Sequence, residues 1–222
     1  MKIHIEIVTG FLGAGKTSFI NSLLKESLVD GEKVLVFQLE QGEKNIVHSS
    51  NISNFVRIQD ALDIKDLKEK MIYSIKKYKP NRIIIEYNGT SDLKELFDIL
   101  NERIYRECSK VTTVFFIADG KTLKQYIDNM GGFIIPFIQN ANMIVINNID
   151  YCKKEILNEG FKKVKNINPK AFILRVSNKY ILNSTLREAR VLDNGCLKKI
   201  KIKMINYKKS TNIKYKGNEE NV

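Results

Sequence analysis

The chain is poor in the residues that build extracellular or membrane-spanning proteins. Its three cysteines, Cys108, Cys152 and Cys196, are odd in number and far apart, which argues against a disulfide framework and gives no zinc-ligand spacing. The two histidines, His4 and His48, offer no catalytic dyad: His4 falls in or beside the first apolar run, His48 in a loop-rich stretch. No apolar run approaches the ~20 residues that cross a bilayer, so membrane insertion is not expected. The start, Met1 to Thr9, is too short and wrongly flanked for a signal peptide and reads as a buried strand. There are no internal repeats. A reducing cytoplasm is the compartment these absences imply.

Charge is abundant but uneven. The net charge is +12; residues 1–100 hold 14 basic and 14 acidic side chains, and residues 101–222 hold 23 and 11. In a chain generally rich in Ile, Lys and Asn this excess is read as solvated lysine, and nucleic acid is not expected as a partner.

Apolar runs alternate with helical patterns up to about residue 176. Strands are expected at Ile3–Val8, Lys33–Leu39, Arg82–Glu86, Val111–Ala118, Met143–Ile146 and Ala171–Val176, with a short apolar piece at Phe55–Ile58. Helical spacing marks Lys16–Leu28, Ile64–Tyr78, a segment through Leu93 and Leu100 capped by Ser91 or Asp92, Leu123–Met130, Ile156–Val164 and Leu186–Val191. Gly131-Gly132 and Pro136 are expected to break up the segment that follows Met130. Buried strands separated by amphipathic helices predict an α/β fold, a three-layer sandwich with a mainly parallel central sheet and helices on both faces. One domain is expected over 1–192. The polar–apolar alternation from Cys196 to Ile205 predicts an edge strand or appendage at 193–207, and the polar residues 208–222 a disordered, basic tail.

Gly10-Phe11-Leu12-Gly13-Ala14-Gly15-Lys16-Thr17 fits G-x-x-x-x-G-K-[ST] between a predicted strand and a predicted helix. Glycines there let backbone N–H groups turn inward around an anion, and the helix adds its positive dipole end. Lys16 is expected to reach the β- and γ-phosphates of a nucleoside triphosphate and the Thr17 hydroxyl to bind Mg²⁺. Glu86, ending a run of isoleucines, is placed to position Mg²⁺ or its water, with the Gly89 amide near the γ-phosphate. Glu40 and Glu43 flank Gly42 in a stretch that could sense Mg²⁺ as a switch loop does. Asn147-Asn148-Ile149-Asp150 follows a strand. Asn147 could hold a base edge there, and the Asp150 carboxylate could accept from the two adjacent donors of guanine.

With these residues assembled, the chain resembles the CobW/HypB/UreG family of P-loop GTPases, which load metals into, or help mature, metalloenzymes and cobalamin-linked proteins. The resemblance rests on GFLGAGKTSFINSLL at 10–24, Leu39-Glu40-Gln41-Gly42-Glu43, Glu86-Tyr87-Asn88-Gly89, Gln139-Asn140-Ala141-Asn142 and Asn168-Pro169-Lys170-Ala171. Leu39 stands where the family has Asn and Asn148 where it has Lys. No cysteine lies in 45–63, where many members carry C-x-C-C, and 222 residues leave no room for the second domain that most have. The resemblance and the motif together give Gly10, Gly13, Ala14, Gly15, Lys16, Thr17, Ser18, Gly89, Asn147, Asp150 and Ser177 as nucleotide-binding residues. They give Lys16, Glu86 and Glu40 as catalytic, and Thr17, Glu40 and Glu86 as Mg²⁺ ligands.

The function implied is a Mg²⁺-dependent GTP hydrolase of slow turnover, acting as an accessory or metallochaperone-like factor for a metal- or cobalamin-dependent client. GTP and GDP are the expected ligands, the client metalloenzyme or corrinoid protein the expected partner, and the oligomeric state stays open, a homodimer included. The alternatives are a nucleotide-binding scaffold that does not hydrolyse, and a small-molecule kinase, for which Arg103 and Arg106 are the only close arginine pair in the region of a lid.

Overall fold

A computed structural model describes residues 2–39, 46, 55–177, 182–189, 192, 195 and 197–207. Glu40, Glu43, His48, Cys196 and the expected tail at 208–222 lie outside the described residues.

Seven strands form one parallel sheet: β1 (Ile3–Gly10), β2 (Val34–Gln38), β3 (Val56–Asp60), β4 (Arg82–Asn88), β5 (Ser109–Asp119), β6 (Met143–Asn147) and β7 (Phe172–Arg175), in the order β3-β2-β4-β1-β5-β6-β7. Parallel strands covered on both faces must be apolar on both, and Ile83, Ile84 and Ile85 of β4 are all at 0% exposure. Alternate side chains part to opposite faces. Ile5, Ile7, Phe37, Ile85 and Phe116 pack under α2 (Ile64–Tyr78), α3 (Leu93–Asn101) and α5 (Leu123–Asn140). Val8, Val36, Ile84, Phe115 and Val145 pack under α1 (Lys16–Ser27) and α7 (Leu182–Glu188). The α/β three-layer expectation holds.

Two local expectations do not hold, and one helix was not anticipated. The chain does not stop being helical at Gly131: Met130 leaves helical geometry (φ −129°, ψ 27°), and α5 resumes beyond it to Asn140 with Pro136 inside. A kink, rather than an end, is what glycine and proline produce when apolar residues on both halves must stay buried. Ile127 lies in the first half, and Ile134, Phe137 and Ile138 in the second. A short helix, α4 (Arg103–Cys108), was not anticipated; Tyr105 within it is buried and donates its hydroxyl to Lys68 O at 2.6 Å.

The expected edge strand at 193–207 is instead a helix over 197–207, here α8, following α6 (Lys154–Ile167), β7 and α7 in the chain. The alternation of polar and apolar residues misled because polar groups face inward. Lys198 Nζ reaches Glu32 Oε2 at 3.0 Å and Ser27 O at 2.8 Å, Ile202 is buried, and Asn206 Nδ2 donates to Gly31 O at 2.8 Å. Positions 198, 202 and 206 share one face at helical spacing.

Phe19 of α1 is fully buried, 5.0 Å from the Phe115 ring. Phe19→Ala is expected to cost about 3–5 kcal/mol in urea unfolding, whereas Leu62→Ala, at a residue 84% exposed, should stay within about 0.5 kcal/mol of the parent.

Candidate nucleotide-binding site

The carboxyl ends of β1, β4, β5 and β6 meet the start of α1; Lys16, Thr17, Glu86, Gly89 and Asn147 lie there, while Glu40 is outside the described residues. β1 ends at Gly10 with φ +145°, and a Cβ on Gly10 would lie 2.1 Å from Ile117 O of the neighbouring strand. The tip of β4 is as close: Gly89 N–H donates to Gly10 O at 3.1 Å, and a Cβ on Gly89 would lie 2.7 Å from Gly10 C. The loop between Gly10 and Lys16 therefore leaves the sheet through a gap that admits only backbone. Gly13 and Gly15 take φ of +75° and +99°, the left-handed conformation that glycine enters without steric cost.

Gly15 caps α1, so the helix opens at Lys16, which is 4% exposed. Its Nζ donates to Gly10 O at 2.8 Å and Phe11 O at 3.0 Å, which folds the ammonium across the loop that encloses it. Phe11 is anchored outside by the Tyr126 ring, 4.2 Å away. One residue on, Thr17 Oγ1 donates to Glu86 Oε1 at 2.7 Å, and Gln38 Nε2 donates to Glu86 Oε2 at 2.9 Å. Glu86 is 2% exposed, its carboxylate fixed between the two donors. Ser18 follows on the first turn of α1.

The turn after β6 closes the other side. Asn147 was expected at a base edge; its Nδ2 donates to Ala14 O at 2.9 Å, tying the loop to β6, while its buried Oδ1 has no hydrogen-bond partner. A Cβ on Gly15 would lie 2.9 Å from that same Nδ2. Asn148 is in the left-handed region (φ +59°) and donates from Nδ2 to Asp119 Oδ2 at 2.8 Å. Asp150 is exposed in the 3₁₀ turn Ile149–Tyr151, and its N–H faces Ser177 O at 3.4 Å, bringing two of the expected nucleotide-binding residues to one rim. Beside it Lys121 Nζ lies 5.1 Å over the Tyr151 ring. Cys152 supports this turn as structure: Sγ donates to Asn148 O at 3.1 Å, and burial, then the Asp119 carboxylate, push its thiol above the usual range.

Sequence reasoning missed Gln38, which steadies Glu86, and Asp119, which holds Asn148. Asp119 carried a usable signal, since it is an acid at the end of an apolar strand followed by glycine, as Glu86 nearly is. Gln38 carried none.

The family model described as CobW/HypB/UreG, nucleotide-binding domain, matches residues 4–175. Zinc-regulated GTPase metalloprotein activator 1 of Dictyostelium discoideum is 22% identical over 234 residues, 83% of this chain and 49% of the relative. The chain thus spans about half the length of that relative. Among solved structures, the Zn(II)-bound YjiA GTPase from E. coli matches with a TM-score of 0.60 at 19% identity, over 78% of this chain and 57% of that one. The hydrogenase maturation factor HypB from Archaeoglobus fulgidus matches with a TM-score of 0.50 at 15% identity, over 85% and 90%. At these identities the structural matches speak to the fold.

The contacts around the glycines predict unequal costs. Gly10→Ala must move the Ile117 carbonyl and should lose at least about 2 kcal/mol of stability in denaturant unfolding. Gly13→Ala, with nothing within 4 Å of the added carbon, should lose only the left-handed backbone cost of about 1 kcal/mol. Equal losses would contradict the close approach at Gly10.

Proposed function

The chain belongs to the CobW/HypB/UreG nucleotide-binding family, and from that premise we propose that it is a cytoplasmic GTP-binding protein and slow, Mg²⁺-dependent GTP hydrolase. Its role would be that of an accessory, metallochaperone-like factor in maturing or activating a metal- or cobalamin-dependent enzyme. The observation that carries the nucleotide reading is the convergence of Lys16, Thr17 and Glu86 at the mouth of the glycine loop, with Thr17 Oγ1 and Glu86 Oε1 2.7 Å apart.

That pair fits Mg²⁺, which takes hard oxygen donors and keeps several waters. Thr17 would hold the ion directly and Glu86 directly or through a water, with Glu40 a further proposed acid. Bound there, the ion would neutralise charge on the β- and γ-phosphates. The chain's own groups do the rest. Amides of residues 13–18 and the start of α1 face the phosphates, and the Lys16 ammonium moves from the loop carbonyls to the bridging charge. Glu86, locked by Gln38, orients the attacking water. For the Gly89 N–H to reach a γ-phosphate it must exchange its bond to Gly10 O, which makes the tip of β4 sensitive to the nucleotide present.

Asp150 at the open rim is the proposed guanine reader, and Asn147 the brace that sets its distance from the loop. The kinase alternative loses support because α4, with Arg103 and Arg106, immediately precedes Ser109, which pairs with Ile3 at the amino edge of the sheet. At ~3.3 Å per residue, an eight-residue strand separates those arginines from the loop by roughly 25 Å.

Calorimetry with GTP, GDP and ATP, with and without Mg²⁺, tests the assignment. GTP should bind more tightly than ATP, and Asp150→Asn should narrow that preference by about tenfold or more. Multiple-turnover phosphate release should fall at least about a hundredfold in Lys16→Ala and about ten- to a hundredfold in Glu86→Gln. Tighter binding of ATP, or binding without turnover, would overturn the GTPase reading.

A further inference from the structure

A cavity of about 500 Å³ lies at the amino edge of the sheet, a strand's length from the glycine loop and walled on one side by α8. Its polar end is built around Arg82, the first residue of β4, which is 4% exposed. Nη1 of Arg82 donates to Ser27 Oγ at 2.8 Å and lies 3.5 Å from Glu6 Oε2; Nε lies 3.2 Å from Glu32 Oε1. Yet Nε and Nη2, both buried, close no hydrogen bond, and neither does Glu6 Oε2. Glu32 already faces Nε, so Nη2 is the donor left unspent. Buried donors without partners are rare and point to a ligand. A guanidinium N–H of this kind makes a strong, charge-assisted hydrogen bond to a carboxylate.

Four cations line the space, Lys2, Arg82, Lys198 and Lys201, against the two acids Glu6 and Glu32. The excess of positive charge is felt at His4 in β1. Burial, followed by Lys201, Lys110, Lys198 and Arg82, holds its imidazole below the ordinary value. Lys198 is lowered likewise by burial and then Arg82, against the pull of Glu32 and Glu6. The rest of the wall mixes the uncharged polar residues Asn81, Thr112, Thr113 and Asn142 with a larger apolar surface to which Leu23, Phe115, Met143, Ile202 and Ile205 contribute. A volume in the range of small-molecule sites, apolar over most of its wall with a few convergent polar groups at one end, selects an amphipathic ligand.

We infer that this cavity is a second, nucleotide-independent binding site for an organic monocarboxylate with an apolar body, its carboxylate seated on Nη2 of Arg82 and its body between β5, β6 and α8. A ligand there touches α1 and α8 at once, so it would also fasten the C-terminal helix to the sheet.

His4 is the reporter. In full-length His48→Gln protein it is the one remaining histidine, and its imidazole signals can be followed by NMR against pH. Octanoate should raise the His4 titration midpoint saturably, because an anion offsets the positive field that adds to burial in opposing protonation. Neither 1-octanol nor inorganic phosphate at equal concentration should reproduce that response. Arg82→Gln should weaken octanoate binding at least about tenfold. Because Arg82 is buried and its loss can disturb folding, Lys201→Gln, at an exposed residue, is the second arm and should weaken binding about threefold with an unchanged circular dichroism spectrum. No movement of His4 by millimolar octanoate would reduce the cluster to a staple for α8 and overturn the inference. An equal response to 1-octanol or to phosphate would overturn the assigned chemistry.

Discussion

At the carboxyl edge of β1, three backbones pass so close that two of them must be glycine: Gly10 against Ile117, and Gly89 against Gly10. This contact decides where the loop to α1 can go. Pressed between β4 and β5, the chain turns out of the sheet in left-handed steps at Gly13 and Gly15, and α1 must begin at Lys16. The ammonium of Lys16 then lies inside the loop, and Thr17 faces Glu86 on the adjacent strand. Asn147 fixes the remaining side through Ala14 O, so the loop is positioned by β4, β5 and β6 together. Such a cradle is preorganised by packing. The backbone is set by these contacts, so that on the proposed binding of phosphate only the Lys16 ammonium and the Gly89 N–H change partners, which keeps the reorganisation cost low.

The sheet gives the molecule two chemically different ends. Ordinary parallel-strand packing fills its middle, where alternate residues of β1, β4 and β5 part between two apolar layers. At the carboxyl end, Lys16, Thr17, Glu86 and Asn147 gather beside the loop that follows β1. At the amino end, Arg82 and Glu32 are buried, with the half-buried Glu6 beside them and Lys198 of α8 closing over Glu32. Buried charges persist when partners or ligands compensate them. The incomplete hydrogen bonding of Arg82 is what separates this end from a purely structural ion cluster.

Much of this was legible in the chain itself. The glycine loop, the isoleucine run ending at Glu86 and the alternation of apolar strands with amphipathic helices each carry a local signal tied to backbone geometry. What escaped depends on contacts between distant segments. The inward face of α8 uses Lys198 and Asn206, whose partners, Glu32, Ser27 and Gly31, are fixed only once β1 and β4 are paired. The continuation of α5 through Gly131 and Pro136 depends on the burial of Ile134 and Phe137. Asn147 was read for its chemistry toward a base, whereas its amide is turned to the loop, a contact 133 residues away in sequence.

The central claim is that the 10–18 segment is a phosphate cradle whose amides are ready before ligand arrives. Amide hydrogen exchange measured on the full chain with and without GTP and Mg²⁺ tests it most directly. Protection should rise at residues 13–18 and at Gly89, and remain unchanged along the helix at 197–207. Unaltered exchange across 13–18 at saturating nucleotide, or protection confined to the amino edge of the sheet, would contradict it.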